Sequence, residues 1–309
     1  MTNGDHADDL PPRTDTLIRL IPSGRLGNQL FQYVAVRGQA KRIGVDLEID
    51  LQFYAGESAS SSFGFWLDTL PIKARIIRYS ASGPLSAHGI VERGVRRFVQ
   101  PLLWKKYVQA QWTLDTGFFA IGPQTIVSGF FQSLFYLLPR DEDVLAEVDL
   151  AQAAPAPAIA QAHSIASDGF VSVHVRRGDA VWRRGESDTL PVWQDDYLSY
   201  VESAMDLIRR KSTRPTFLIF SDDIEWCKRT SAFGRDCEFL TTNQFGDNPA
   251  IDLLLMSACR HHIVANSSYS WWAAWSAPAV DSICVLPRKW TERDTTEALR
   301  LVAPGWIVL

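Results

Sequence analysis

Phe170-Val171-Ser172-Val173-His174-Val175-Arg176-Arg177-Gly178-Asp179 is an apolar run that ends in two guanidinium groups, a glycine and a carboxylate. The run reads as a buried strand, so its charges stand at the carboxyl end, where open α/β sheets bind ligands. Adjacent arginines repel each other. A loop that concentrates them beside a flexible glycine suits an anion such as a pyrophosphate. Asp179, three positions after Arg176, is placed to clamp a guanidinium by a two-point contact. His174 alternates with Val173 and Val175, which suits a hydrogen-bonded structural histidine better than a catalytic base.

The same grammar recurs on both sides of this stretch. Residues 17–21 read as a strand and are followed by Gly24-Arg25-Leu26-Gly27-Asn28-Gln29. A helix over 29–42 and a strand over 45–49 complete a βαβ beginning. The glycines are spaced G-x-x-G rather than G-x-G-x-x-G, so this is not a dinucleotide fingerprint. Asn28 is positioned to cap the helix behind it. Downstream, strands are expected over 216–220, 262–265 and 283–286, with helices over 196–210, 224–233, 249–259 and 268–277. Strands alternating with helices at this spacing imply right-handed crossovers and a parallel sheet.

Between these regions the pattern weakens. Residues 55–124 carry serine-rich loops at 58–62 and 80–86 and a basic helical stretch within 89–104 containing Arg93, Arg96 and Arg97. A strand over 126–131 and a helix over 141–148 follow. The uncharged, two-proline run at 151–158 reads as a linker. The expected division is a disordered leader over 1–16, an N-terminal domain over 17–160 and a C-terminal one over 161–309.

The balance of 31 Lys and Arg against 35 Asp and Glu gives a net charge of -4, which argues against a nucleic-acid binder driven by phosphate contacts. Four cysteines without a C-x-x-C pair fit neither a disulfide framework nor a zinc site. The polar, acidic start lacks the basic and apolar regions of a signal peptide. No apolar stretch approaches the ~20 residues needed to cross a bilayer. A cytoplasmic protein is expected, and peripheral membrane contact is compatible with these features.

Two further motifs stand at strand ends. Phe220-Ser221-Asp222-Asp223 places two carboxylates where they either cap a helix or bind the edge of a base or ribose. Ala265-Asn266-Ser267-Ser268-Tyr269-Ser270-Trp271-Trp272 opens a helix with more hydroxyl and amide groups than one cap requires. Free backbone N–H groups and the positive end of the helix dipole there form an anion site without a metal. Asp141-Glu142-Asp143 has the D-x-D spacing that some transferases use for Mn²⁺ or Mg²⁺, but its place at a helix start favours structural use. His261 and His262 point to opposite faces of a strand and form no metal pair. The eleven tryptophans serve mainly as packing residues.

Taken in order, GRLGNQLFQY, VHVRRGD, FSDDIEWC and ANSSYSWWAAW closely resemble the motif series of glycosyltransferase family 11, the α-1,2-fucosyltransferases, and PRKW at 287–290 fits the end of that domain. The resemblance runs from about residue 17 to 290. It implies an α/β, GT-B-like architecture: two Rossmann-like domains with parallel sheets facing across a cleft, and donor GDP-fucose held mainly by the second. It also implies inversion at the sugar carbon with no metal and no cofactor. Arg176 would contact the donor β-phosphate, supported by Arg177 and Asp179, with His174 also among the substrate-binding residues. Asp222 would belong to the guanosine subsite, and Asn266, Ser267 and Ser268 to the pyrophosphate subsite. Asn28 and Arg25 would lie across the cleft near the transferred sugar.

The chain departs from the family where Arg25 replaces a second glycine, Ala180 replaces a tyrosine and Leu190-Pro191 stands in place of a His-Gly pair. These changes bear on the glycan acceptor rather than on the donor. Glu186 and Asp188 are candidate bases, and neither is singled out. The alternatives left open are a fucosyltransferase of another linkage or acting on protein, and a non-catalytic nucleotide- or glycan-binding module.

Overall fold

The computed structural model describes residues 16–54, 64–78, 103–109, 114–177, 197–241, 243–277, 281–290 and 297–309. The expected leader (apart from Thr16), the serine loops, most of the basic 89–104 stretch, Asp179, Glu186 and Asp188 lie outside these residues.

Chain order begins β1 (Leu17–Leu20), α1 (Leu26–Ile43), β2 (Asp46–Asp50), β3 (Arg75–Ile77), β4 (Lys105–Val108) and β5 (Thr125–Ser128). These strands form a parallel sheet in the order β3-β2-β1-β5-β4. Two helices lead out of it, α2 (Glu142–Ala146) and α3 (Ala156–Asp168). The second half runs β6 (Val171–Val175), α4 (Tyr197–Lys211), β7 (Phe217–Ser221), α5 (Ile224–Arg229) and β8 (Cys237–Phe239). It continues α6 (Pro249–Ser257), β9 (His261–Ile263), α7 (Ser268–Ser276), β10 (Cys284–Leu286) and β11 (Ile307–Val308). Its sheet has the order β11-β10-β9-β6-β7-β8, again parallel throughout. Both orders reverse beside their first strand, the doubly wound arrangement that opens a crevice at the strands' carboxyl ends.

The expected linker at 151–158 is not a coil. Pro155 caps α3 and Pro157 lies in its first turn, where a missing N–H and a fixed φ suit a helix start. Gly169, at φ 71°, closes that helix with its N–H on the Ile165 carbonyl. Gly44 does the same for α1.

Period-two alternation divides the second sheet cleanly. Val171, Val173, Val175, Phe217 and Ile219 pack on Val201, Met205 and Ile208 of α4. The alternate residues Leu218, Phe220, Cys284 and Leu286 face a larger core that also contains Ile18, Leu20, Ile49 and Val127 of the first sheet. That core is continuous because α1 packs directly on α7. Phe31 lies 4.6 Å from Trp271 and 5.1 Å from Trp272, both fully buried. A ring of this size buries about 150–250 Å², worth roughly 4–6 kcal/mol of transfer free energy before ordering entropy is subtracted. Gly27 sets the distance between the helices: a Cβ there would lie 2.5 Å from the Tyr269 amide nitrogen. Among the described residues no helix is long and apolar enough to cross a membrane.

Candidate active site

The α1–α7 contact brings two helix N-termini to one place. Both open on a cleft of about 740 Å³ at the carboxyl ends of β1, β6 and β7. Arg176, the first residue after β6, lines it, as do Arg25, Asn28, Asn266, Ser267 and Ser268. Arg25 is the N-cap of α1 and makes no side-chain cap bond, and the first turn of that helix has no acidic residue. The expectation that Asn28 caps α1 is therefore incorrect. Asn28 sits inside the first turn, and its Oδ1 accepts from Ser268 Oγ at 2.7 Å and from Gln132 Nε2 at 2.7 Å.

At the head of α7 the two serines divide their roles. Ser267 is the N-cap, its Oγ accepting from the Tyr269 N–H at 3.3 Å, which leaves the hydroxyl proton for a ligand. Ser268 directs its hydroxyl proton to Asn28, so an anion meets its backbone N–H. Ser270 Oγ accepts from the Ala265 N–H at 3.2 Å and fixes the turn from β9 into α7.

The two arginines face opposite ways. Arg177 does not reach the cleft: its side chain is 1% exposed, its Nη1 is 2.6 Å from Asp223 Oδ2, and its guanidinium stacks 4.1 Å from the Trp226 ring. The side chain expected to support Arg176 is held as a brace behind the cleft by Asp223 and Trp226. The anion that relieves arginine–arginine repulsion is thus partly the protein's own. Asp223 also caps α5 by accepting from the Trp226 N–H at 3.1 Å. Its neighbour Asp222 lines the cleft and accepts from the Arg177 N–H at 2.8 Å.

His174 lies in the cleft floor, 5% exposed, with its carbonyl accepting from the Tyr197 hydroxyl. Its Nδ1 is buried and has no hydrogen-bond partner among the described residues. Burial first, and the positive charge of Arg176 second, push its pKa down to about 4, with Asp222 opposing. The ring is neutral at pH 7 and offers one nitrogen to a ligand.

The structure adds residues not singled out from sequence. Asp252 lies between Pro249 and Met256 on the cleft face of α6, a spacing of three and four that helical periodicity would have revealed. Gln132 follows the carboxyl end of β5, the position that pointed to Arg176. Trp66 gave no signal in sequence. It enters the cleft because Gln29 of α1 accepts from its backbone N–H at 3.0 Å and donates to the Gly64 carbonyl at 2.9 Å.

Neither metal-like motif forms a metal site. Asp141 caps α2, and Lys41 bridges Asp141 and Asp143 at 2.8 Å each. His262 Nδ1 meets Ser172 Oγ at 2.8 Å, while His261 Nε2 meets Ser212 Oγ at 3.2 Å on the other side. Among the described residues no group of three or more His, Cys, Asp or Glu is arranged to hold a metal ion.

The chain is similar to several known glycosyltransferases. An alpha-1,2-colitosyltransferase of Escherichia coli is 29% identical over 290 residues, covering 92% of this chain and 96% of that protein. The O-antigen biosynthesis glycosyltransferase WbnK of Escherichia coli is 36% identical over 138 residues, or 45% of this chain and 44% of that one. Galactoside alpha-(1,2)-fucosyltransferase 1 of Sus scrofa is 25% identical, with 84% of this chain and 65% of the relative aligned. The profile of Glycosyl transferase family 11 matches residues 114–309, which include Arg176, Asp222 and the Asn266–Ser268 helix start. The chain belongs to glycosyltransferase family 11.

Proposed function

We propose that the protein is an inverting fucosyltransferase that moves L-fucose from GDP-β-L-fucose to O2 of a galactoside in a glycan acceptor, forming an α-1,2 linkage. The observation that carries this reading is the convergence of Arg176 with the N-termini of α1 and α7 on one cleft. Breaking the fucosyl–phosphate bond sends an electron pair to the β-phosphate and leaves oxocarbenium character on the sugar. A fixed guanidinium and unpaired helix N–H groups stabilise that leaving group by preorganised electrostatics, about 3–4 kcal/mol for a key donor. The acceptor hydroxyl oxygen bonds to the sugar carbon on the opposite face while its proton is lost to water, so a β-donor gives an α-product.

The nucleoside end fits the rest of the cleft. Asp222 and Asp252 supply acceptors for the N–H groups of a purine edge, and neutral His174 supplies its buried Nδ1. The negative charge is met by protein groups, so no divalent ion is called for. A second donor, GDP-colitose, is favoured by the relative that aligns over 92% of the chain.

Incubation of the purified protein with GDP-fucose, GDP-colitose and UDP-galactose, each with a β-galactoside, tests the proposal. Transfer from a GDP-sugar, an α-1,2 linkage by NMR and activity retained in EDTA are expected. Transfer from UDP-galactose alone, another linkage, or complete loss of activity in EDTA would overturn it.

A further inference from the structure

We infer that Gln132 is a positioning residue that fixes the amide of Asn28 as a hydrogen-bond donor to the reacting end of the donor substrate. This rests on the transfer reading proposed above. An indole N–H can only donate. Trp290 Nε1 lies 3.2 Å from Gln132 Oε1, so the carbonyl end of Gln132 faces Trp290 and its amino end faces away. That amino end is 2.7 Å from Asn28, so Oδ1 of Asn28 is the atom that receives it. The Ser268 hydroxyl donates to the same oxygen.

With Oδ1 doubly occupied, Nδ2 is left over. It rests against Gly24, where a Cβ would come within 2.5 Å of it, and it makes no hydrogen bond to any described residue. The polarity of a tryptophan thus determines, through two amides, which end of Asn28 faces the ligand. An amide held this way gives hydrogen bonds to an oxygen and removes no proton.

The loop bearing Gln132 is built for this presentation. Phe131 is fully buried at φ 52°, a conformation that is a genuine outlier for a bulky residue. It is held there by Gln109, whose Oε1 accepts from the N–H groups of Phe130 at 3.0 Å and Phe131 at 2.8 Å. Backbone strain of this kind persists where the surroundings over-determine it, and it clusters at functional sites. The relay also crosses the molecule: Gln132 and Asn28 belong to the first sheet's connections, Ser268 and Trp290 to the second's.

The test compares wild type, Gln132→Met, Gln132→Glu, Asn28→Ala and the double variant Gln132→Met/Asn28→Ala. Methionine keeps the volume and removes both hydrogen bonds. Gln132→Met is expected to lower kcat about tenfold or more, the scale of one hydrogen bond to a reacting group. KM for GDP-fucose should stay within about twofold, because the nucleoside contacts are untouched. In the Asn28→Ala background the same substitution should change kcat little, since its target is gone. Gln132→Glu should be slow at pH 7 and gain rate relative to wild type as pH falls below about 5, where a protonated carboxyl restores one donor and one acceptor.

Wild-type kcat in Gln132→Met, equal losses in both backgrounds, or full activity in Asn28→Ala would overturn the inference. If wild type transfers nothing from any GDP-sugar, the transfer reading fails instead. The relay is then judged by ¹⁵N spectra, where Gln132→Met must shift both the Trp290 indole N–H and the Asn28 side-chain amide. Unshifted signals overturn it.

Discussion

Arg176 faces the cleft while Arg177, its neighbour, ends 2.6 Å from Asp223 behind it. Alanine at the two positions should therefore fail differently. Arg176→Ala is expected to lower kcat at least a hundredfold, about 3 kcal/mol, with an unchanged melting temperature. Arg177→Ala is expected to destabilise the fold by about 1–3 kcal/mol through a lost charged hydrogen bond; part of the ion-pair energy is discounted because Asp223 is 38% exposed. Calorimetry and steady-state rates on both variants check this.

Sequence spacing located the pair but could not say which arginine turns inward. Strand alternation stops at Val175, and Asp223 lies 46 positions away. The buried histidines add a pH dependence. Burial holds His174 at about 4 and, with His261 nearby, His262 at about 3, both below the ordinary 6.5. The unfolded chain then binds more protons than the folded one below pH 6.5. Stability should be complete above that value and fall as pH drops through 6.5 toward 4. Urea unfolding at pH 7 and pH 5 measures the slope, which His262→Gln should flatten.

At the level of elements, Gly27 is the position with least freedom. Its missing Cβ is filled by the backbone of Ser268 and Tyr269, which cannot rotate away as a side chain would. Gly27→Ala should force α1 and α7 apart at their N-termini, with a cost of about 1–3 kcal/mol and a raised KM for the donor. Thermal melts and donor titration read both. The tight contact at Gly27 is made with a helix that begins at Ser268, which no local glycine spacing reveals. The main strands and helices were legible because apolar runs and helical periodicity marked them. The short strands β3, β4 and β8 were not, since they are largely exposed or half-buried and carry no continuous apolar run. Prolines misled at α3, where they start a helix instead of interrupting one.

For the whole molecule, the alternation of strands and helices announced a parallel sheet in the second half, and the pair of sheets came from the resemblance to the family. Neither carried information on how the sheets join. Trp271 and Trp272 read as packing residues, which they are, but their partner Phe31 belongs to the other sheet's first helix. A single core spanning both sheets predicts one cooperative unfolding transition, with calorimetric and van't Hoff enthalpies equal. Two resolved transitions would contradict it.

The shared aromatic joint also limits how acceptor preference can be re-engineered. Exchanging one half of the chain for a relative's would graft a foreign α1 onto the native α7, or the reverse. The Phe31–Trp271–Trp272 seam would then be mismatched, and so would the Gly27 approach beside it. Chimaeras between family members should survive only when both helices travel together as one cassette.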